Sequence, residues 1–104
     1  MNIEYYSKNI ELADQTKEFI SKKCQVFDKF KGRITSCRWN LSHDQHHRKG
    51  DVYRAEINLG LKDGNVLQVE ETGEDLLAAV DLAKDKVKHQ LVKLKNKLVS
   101  QRRK

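Results

Sequence analysis

The chain has no proline and only five glycines among its 104 residues. Proline-rich linkers are excluded, and few positions are free to break an element. Two cysteines, Cys24 and Cys37, are too few for a disulfide framework and lack the Cys-x-x-Cys spacing of redox and zinc motifs. Both fall on apolar positions and read as buried thiols acting as small hydrophobes. No apolar run approaches the roughly 20 residues that span a bilayer. The opening, Met1-Asn2-Ile3-Glu4, has neither the basic start nor the apolar core of a signal peptide, so a cytoplasmic location is expected. A nucleophile elbow, a phosphate-cradling glycine loop and a metalloprotease motif are also missing. The reading is of a non-enzymatic protein with no cofactor.

Acidic residues are scarce in one place. The segment Lys84 to Lys104 holds nine Lys/Arg and one acid, Asp85, for a charge of +8. The preceding residues carry twelve Lys/Arg against fourteen acids, so the net +6 of the chain comes from its C-terminal segment. Lysines near a helix C-terminus complement the dipole, which accounts for two or three of them but not nine. Such a density of like charge points to a polyanion, and nucleic acid is the commonest one.

Length fits one small domain, expected over residues 1–99 with a short basic tail at 100–104. The apolar fraction of 38% against 35% charged residues implies a thin core under a charged exterior. Met1, Ile3 and Tyr5 alternate with polar neighbours as a first strand, Met1–Tyr6. Thr16, Phe19, Ile20, Cys24, Phe27 and Phe30 recur in steps of three and four, predicting a helix over about Asp14–Lys31 that ends at Gly32.

Ile34–Leu41 alternates again, with Thr35, Cys37, Trp39 and Leu41 on one face. Ser42–Asp51 reads as a polar loop. Val52–Leu61 points Tyr53, Ala55, Ile57, Leu59 and Leu61 inward. Lys62-Asp63-Gly64-Asn65 is a hairpin turn. Val66–Glu71 returns with Leu67 and Val69 inward. Thr72 is placed to cap a long helix, with Glu74 and Asp75 at its positive end, running to about Val99. The order β-α-β-β-β-α gives an α+β fold: a four-stranded sheet with both helices on one face.

On a helical projection from Val80, the residues Ala83, Val87, Leu91, Leu94 and Leu98 form a stripe within roughly 60° of zero. Lys86, Lys93 and Lys97 border it on one flank, extended by His89 and Gln90. Lys84, Lys88 and Lys95 border it on the other. The only acids between these rows are Asp81 and Asp85, both in the N-terminal half. Lys22, Lys23 and Lys29 of the first helix add to the positive field. Lysine serves phosphate as a point charge, so backbone-level recognition with weak base readout is expected.

Residues Glu74-Asp75-Leu76-Leu77-Ala78-Ala79-Val80-Asp81, followed by Asp85-Lys86-Val87-Lys88-His89-Gln90-Leu91-Val92-Lys93-Leu94-Lys95-Asn96-Lys97, resemble the second helix of the ribosome hibernation-promoting factor and protein Y family. Asn9-Ile10-Glu11-Leu12 and Arg33-Ile34 match it too, and the likeness covers essentially the whole chain. The resemblance implies a fold like double-stranded-RNA-binding domains. It implies a partner, the small (30S) ribosomal subunit with its 16S-type rRNA, within the 70S ribosome. The mRNA/tRNA channel would be occupied and the ribosome inactivated under starvation. The RNA-contacting positions map onto Lys86, His89, Gln90, Lys93, Lys95 and Lys97. Lys84, Lys88, Arg102 and Arg103 complete the basic set with Lys22, Lys23 and Lys29. The length matches the short form of the family, acting as a monomer in solution.

Three residues depart from the family pattern: Leu77 replaces a Tyr, His89 an Arg and Ala13 a capping Ser or Thr. His89 is mostly neutral at pH 7, which weakens that contact. Other readings stay open. A permanent RNA-binding ribosomal or assembly component has the same charge pattern. A membrane-surface helix ranks last, because the seam lacks Trp and Phe. His43, His46 and His47 with Asp44 and Asp51 suggest a metal site, but loop histidines are more often solvated. Tyr6 is the one aromatic expected to be exposed; Trp39, Phe19, Phe27 and Phe30 read as core.

Overall fold

The computed structural model describes the backbone of residues 3–47 and 50–102, and their side chains except at positions 31, 45–47, 50, 51 and 95–102. The elements are β1 (Ile3–Lys8), α1 (Asp14–Lys23), a 3₁₀ segment (Cys24–Arg33), β2 (Ile34–His47), β3 (Gly50–Leu61), β4 (Val66–Gly73) and α2 (Leu76–Arg102). The sheet order is β1-β2-β3-β4. β1 runs parallel to β2, and the other pairs are antiparallel. A parallel neighbour requires a crossover, which α1 and the 3₁₀ segment supply.

Both helices cover one side of this sheet. Cys37, Trp39, Leu41, Ala55, Ile57, Leu59 and Val69 meet Ile20, Cys24, Phe27, Phe30, Ala79, Val80, Ala83, Val87 and Leu91 in one buried cluster. The period-two reading of β3 holds, as does the helical stripe of α2 from Val80 to Leu94; the side chain of Leu98, its expected last member, lies outside the described residues. Trp39 is fully buried, and its indole N–H donates to Cys24 Sγ at 3.4 Å. Cys37 lies beside Cys24; donating to that sulfur pushes the Cys37 thiol up, and burial adds to the shift. Tyr5 joins β1 to α1 through its hydroxyl, 3.1 Å from the Lys17 carbonyl and 2.7 Å from Ser21 Oγ. Burial pushes the Tyr5 hydroxyl up.

Several local expectations need correction. The first helix is α-helical only to Lys23 and continues as 3₁₀ turns. Cys24, Phe27 and Phe30 are spaced by three, and a three-residue turn stacks them on one line toward the core. Phe19 precedes that change and remains 41% exposed, so it is not a core residue.

Thr35 faces solvent and Ile34 is buried instead. The register shifts between Ile34 and Ser36, so one residue is looped out and the alternation changes phase. Gly60 sits opposite Ser36, where any Cβ would collide with the serine Oγ.

The segment expected to be a polar loop, Ser42–Asp51, is mostly strand. His43 pairs with Tyr53, Asp44 with Val52 and His47 with Gly50. An antiparallel pair satisfies its own backbone without a buried face, so polar residues do not stop it. The His43 and Tyr53 rings stack, centroids 4.2 Å apart.

β4 runs on to Gly73, which places Thr72 inside the strand rather than at the helix cap. Asp75 caps α2: its Oδ1 accepts the Ala78 N–H at 2.8 Å. At the other end α2 reaches Arg102, three residues beyond the expected Val99 and into the expected tail. Met1, the expected start of the first strand, lies outside the described residues. The hairpin turn is as expected, with Gly64 at φ 90°.

Candidate nucleic-acid interface

The two faces of the molecule handle charge differently. On the open side of the sheet, both arginines are matched by carboxylates. Arg38 Nε lies 3.4 Å from Glu4 and Arg54 Nε 3.2 Å from Glu70. Asn40 and Asn58 donate to Glu56 Oε1 at 3.0 and 2.9 Å. The Asn58 amide, with help from Asn40 and Gln68, holds the Glu56 carboxyl below its ordinary value against the opposing effect of burial. Tyr6 is 52% exposed here with the Arg38 guanidinium 5.3 Å from its ring.

On the helical side, the expected contact residues divide into three groups. Lys22, Lys29, His89, Gln90 and Lys93 are exposed, and Lys88 is half-buried. None of Lys22, Lys29, Lys88 and Lys93 has an ion-pair partner among the described residues.

The second group is engaged by the protein's own carboxylates. Lys23 Nζ lies 3.0 Å from Asp81 Oδ1, and Lys84 Nζ lies 3.6 Å from the same oxygen. Lys84 also approaches Asp85 at 3.3 Å and is only 15% exposed. Lys86 forms an ion pair with Glu71. These partners show which way the flanks of α2 face. The Lys84 flank turns toward α1, and the Lys86 flank leans over β4. The two rows therefore sit on opposite shoulders of one helix, separated by its exposed ridge at His89.

The third group is not described: the side chains of Lys95, Lys97 and Arg102, and the whole of Arg103, lie outside the described residues. The same holds for the side chains of His46, His47 and Asp51, and for Arg48 and Lys49. Among the described residues no group of three or more His, Cys, Asp or Glu is placed to hold a metal. No helix among them is long and apolar enough to cross a membrane.

The roles of Glu71 and Asp81 were missed by sequence reasoning. Glu70 and Glu71 are adjacent in sequence, yet period two sends them to opposite faces of the sheet. Glu71 shares parity with Leu67 and Val69, hence the helical side, while Glu70 turns to Arg54 on the open side. That parity was available as a signal. Asp81 lies three residues before Lys84, a spacing that brings helical side chains together.

The four strands, the crossover and the two helices can be set beside known proteins. The family described as Sigma 54 modulation protein / S30EA ribosomal protein matches residues 3–99. The chain belongs to this family. Among relatives, it is 28% identical over 95 residues to the ribosome hibernation promotion factor of Deinococcus radiodurans, covering 91% of this chain and 49% of that protein. It is 29% identical over 98 residues to the ribosome hibernation promotion factor of Picosynechococcus sp., covering 93% of this chain and 50% of that one. The chain thus spans about half the length of both.

The solved N-terminal domain of Thermus thermophilus Protein Y superposes with a TM-score of 0.76 at 29% identity, over 90% of this chain and 99% of that one. A ribosomal subunit interface protein from Coxiella burnetii gives 0.79 at 19% identity, over 92% and 99%, a likeness of fold. The β-α-β-β-β-α arrangement expected from the residue pattern is the one observed.

Proposed function

We propose that this chain is a non-enzymatic ribosome-binding factor. It occupies the mRNA/tRNA channel of the small subunit and holds ribosomes inactive under starvation. Membership of the family supports the ribosome as partner, as does the name shared by the two curated relatives. The observation that carries the mode of binding is the contrast between faces. On the open face Arg38 and Arg54 are held by Glu4 and Glu70, whereas Lys22, Lys29, Lys88 and Lys93 on the helical side have no carboxylate partner among the described residues. Cations without internal partners are free to replace counterions along rRNA phosphates.

Contacts of that kind read backbone and shape, because ammonium groups carry little base information. The exposed His89 and Gln90 lie on the same helix and supply hydrogen bonds beside the lysines. No step of bond-making is involved. The protein acts by occupying space that messenger and transfer RNA need.

The test is sedimentation of the pure chain with small subunits, with and without mRNA and tRNA. Binding is expected to fall when mRNA and tRNA are present. A double substitution, Lys22→Glu with Lys93→Glu, is expected to abolish co-sedimentation. Each lost phosphate contact lowers the log–log salt slope by about 0.9. Unchanged co-sedimentation of the double variant, or indifference to mRNA and tRNA, overturns the proposal. Constant occupancy in growing and starved cells points instead to a permanent ribosomal component.

A further inference from the structure

One cavity is not used by this reading. It lies where the β3–β4 hairpin, the end of the 3₁₀ segment and the middle of α2 meet, and it measures about 240 Å³. Phe30, Leu61, Leu91 and Leu94 line it, with Arg33, Lys62 and Asp63 at the rim. The first three apolar residues are 4%, 8% and 3% exposed and belong to the core, so the floor is rigid. The rim is tied down by the Lys62 N–H, which donates to the Arg33 carbonyl at 2.9 Å. Neither Arg33 nor Lys62 has an ion-pair partner among the described residues. Asp63 is turned to its own hairpin: its two oxygens accept from the Asn65 N–H at 2.8 Å and the Asn65 amide at 3.0 Å.

An apolar floor disfavours a bare phosphate, and two unpaired cations at the lip disfavour a purely apolar guest. A flat group with apolar faces, carried on an anionic backbone, satisfies both. The volume is below that of typical drug-sized sites but admits one ring system. We infer that this cavity takes a single unstacked nucleobase of bound RNA, the adjoining phosphate resting between Arg33 and Lys62. The inference rests on the RNA-binding reading above and adds a base contact to a surface otherwise read as phosphate-directed. Leu94 lines the cavity next to the exposed Lys93, so a strand crossing Lys93 passes its mouth. An acidic peptide with one apolar side chain is the competing guest.

The experiment compares a short labelled single-stranded RNA with its abasic counterpart by fluorescence anisotropy, using the full 104-residue chain at low salt. The abasic strand is expected to bind about tenfold more weakly, equivalent to about 1.4 kcal/mol. Leu94→Phe fills the cavity from a half-buried position and is expected to erase that difference while leaving affinity for the abasic strand unchanged. Amide shifts of the unmodified protein supply a readout that needs no variant: Leu61 and Leu91 are expected to move with the base-bearing RNA and not with the abasic one. Equal affinity for the two strands, or a difference that survives Leu94→Phe, overturns the inference and leaves the ribosome reading standing. Failure of both strands to bind overturns both. Movement of Leu61 and Leu91 with an acidic leucine-containing peptide, and not with RNA, assigns the cavity to protein and also overturns it.

Discussion

Lys23 of α1 and Asp81 of α2 are joined by an ion pair of 3.0 Å, which links the two helices across the face expected to meet RNA. The partners are 31% and 43% exposed, so the pair is screened and adds little to stability. Its larger effect is on charge. Asp81 also neutralises part of Lys84, so one carboxylate restrains two of the expected contact residues.

Asp81→Asn is therefore expected to cost less than about 1 kcal/mol of stability. RNA affinity is expected to rise, with a steeper salt dependence, because Lys23 and Lys84 become available to phosphate. Salt-titrated anisotropy measures both changes. Weaker binding by a folded Asp81→Asn protein contradicts the assignment of this face.

Phe27 and Phe19 lie eight residues apart in sequence and differ in burial, at 0% and 41% exposed. Phe27→Ala is expected to cost about 3–5 kcal/mol, since it leaves a cavity in the core. Phe19→Ala is expected to stay within about 1 kcal/mol, as exposed substitutions do. Urea denaturation of the two variants provides the comparison. Similar losses at both positions contradict the change from α to 3₁₀ geometry at Cys24.

Asp75 alone accepts the Ala78 N–H at the start of α2, by a bond of 2.8 Å. Asp75→Ala is expected to lower stability by about 0.5–2 kcal/mol, whereas Thr72→Ala leaves the cap intact. Thermal melts followed by circular dichroism distinguish the two. A larger loss from Thr72→Ala restores the capping role first expected of that residue.

The Glu56 carboxyl is held below its ordinary value by Asn58 first, then by Asn40 and Gln68. A depressed carboxylate contributes stability above its unfolded value. That contribution is lost as pH falls through the folded value. Glu56→Gln is expected to flatten the acid limb of the stability curve below the ordinary glutamate range and to leave the curve above neutrality parallel. Urea midpoints collected across acidic pH test this. An unchanged acid limb contradicts the hydrogen-bonded arrangement.

Much of this architecture is legible in the sequence. Ala55, Ile57 and Leu59 alternate and are all fully buried. Val80, Ala83, Val87 and Leu91 fall on one helical stripe and are buried as well. Where reading failed, local pattern lost to pairing or to turn geometry. The His43–Tyr53 ribbon has no apolar face to announce it. The Thr35 bulge breaks the alternation at one residue. The steps of three from Cys24 to Phe30 fit an α-helical stripe and a 3₁₀ line equally well.

The lysine-rich flanks were legible as composition, but their partners on other elements were not. Glu71 and Asp81 are distant in sequence from Lys86 and Lys23, and only the packing of α2 on β4 and α1 brings them together.

The parallel pairing of β1 also constrains the order of assembly. Ile3 is matched to Cys37 and Lys8 to Ser42, whereas β3 and β4 each pair with the strand made just before them. During synthesis the opening strand leaves the exit tunnel without a mate and waits until residue 42 has emerged. Its closure spans the whole crossover, a slower contact than any hairpin. Within the domain, β1 is thus the strand whose docking depends on those made after it.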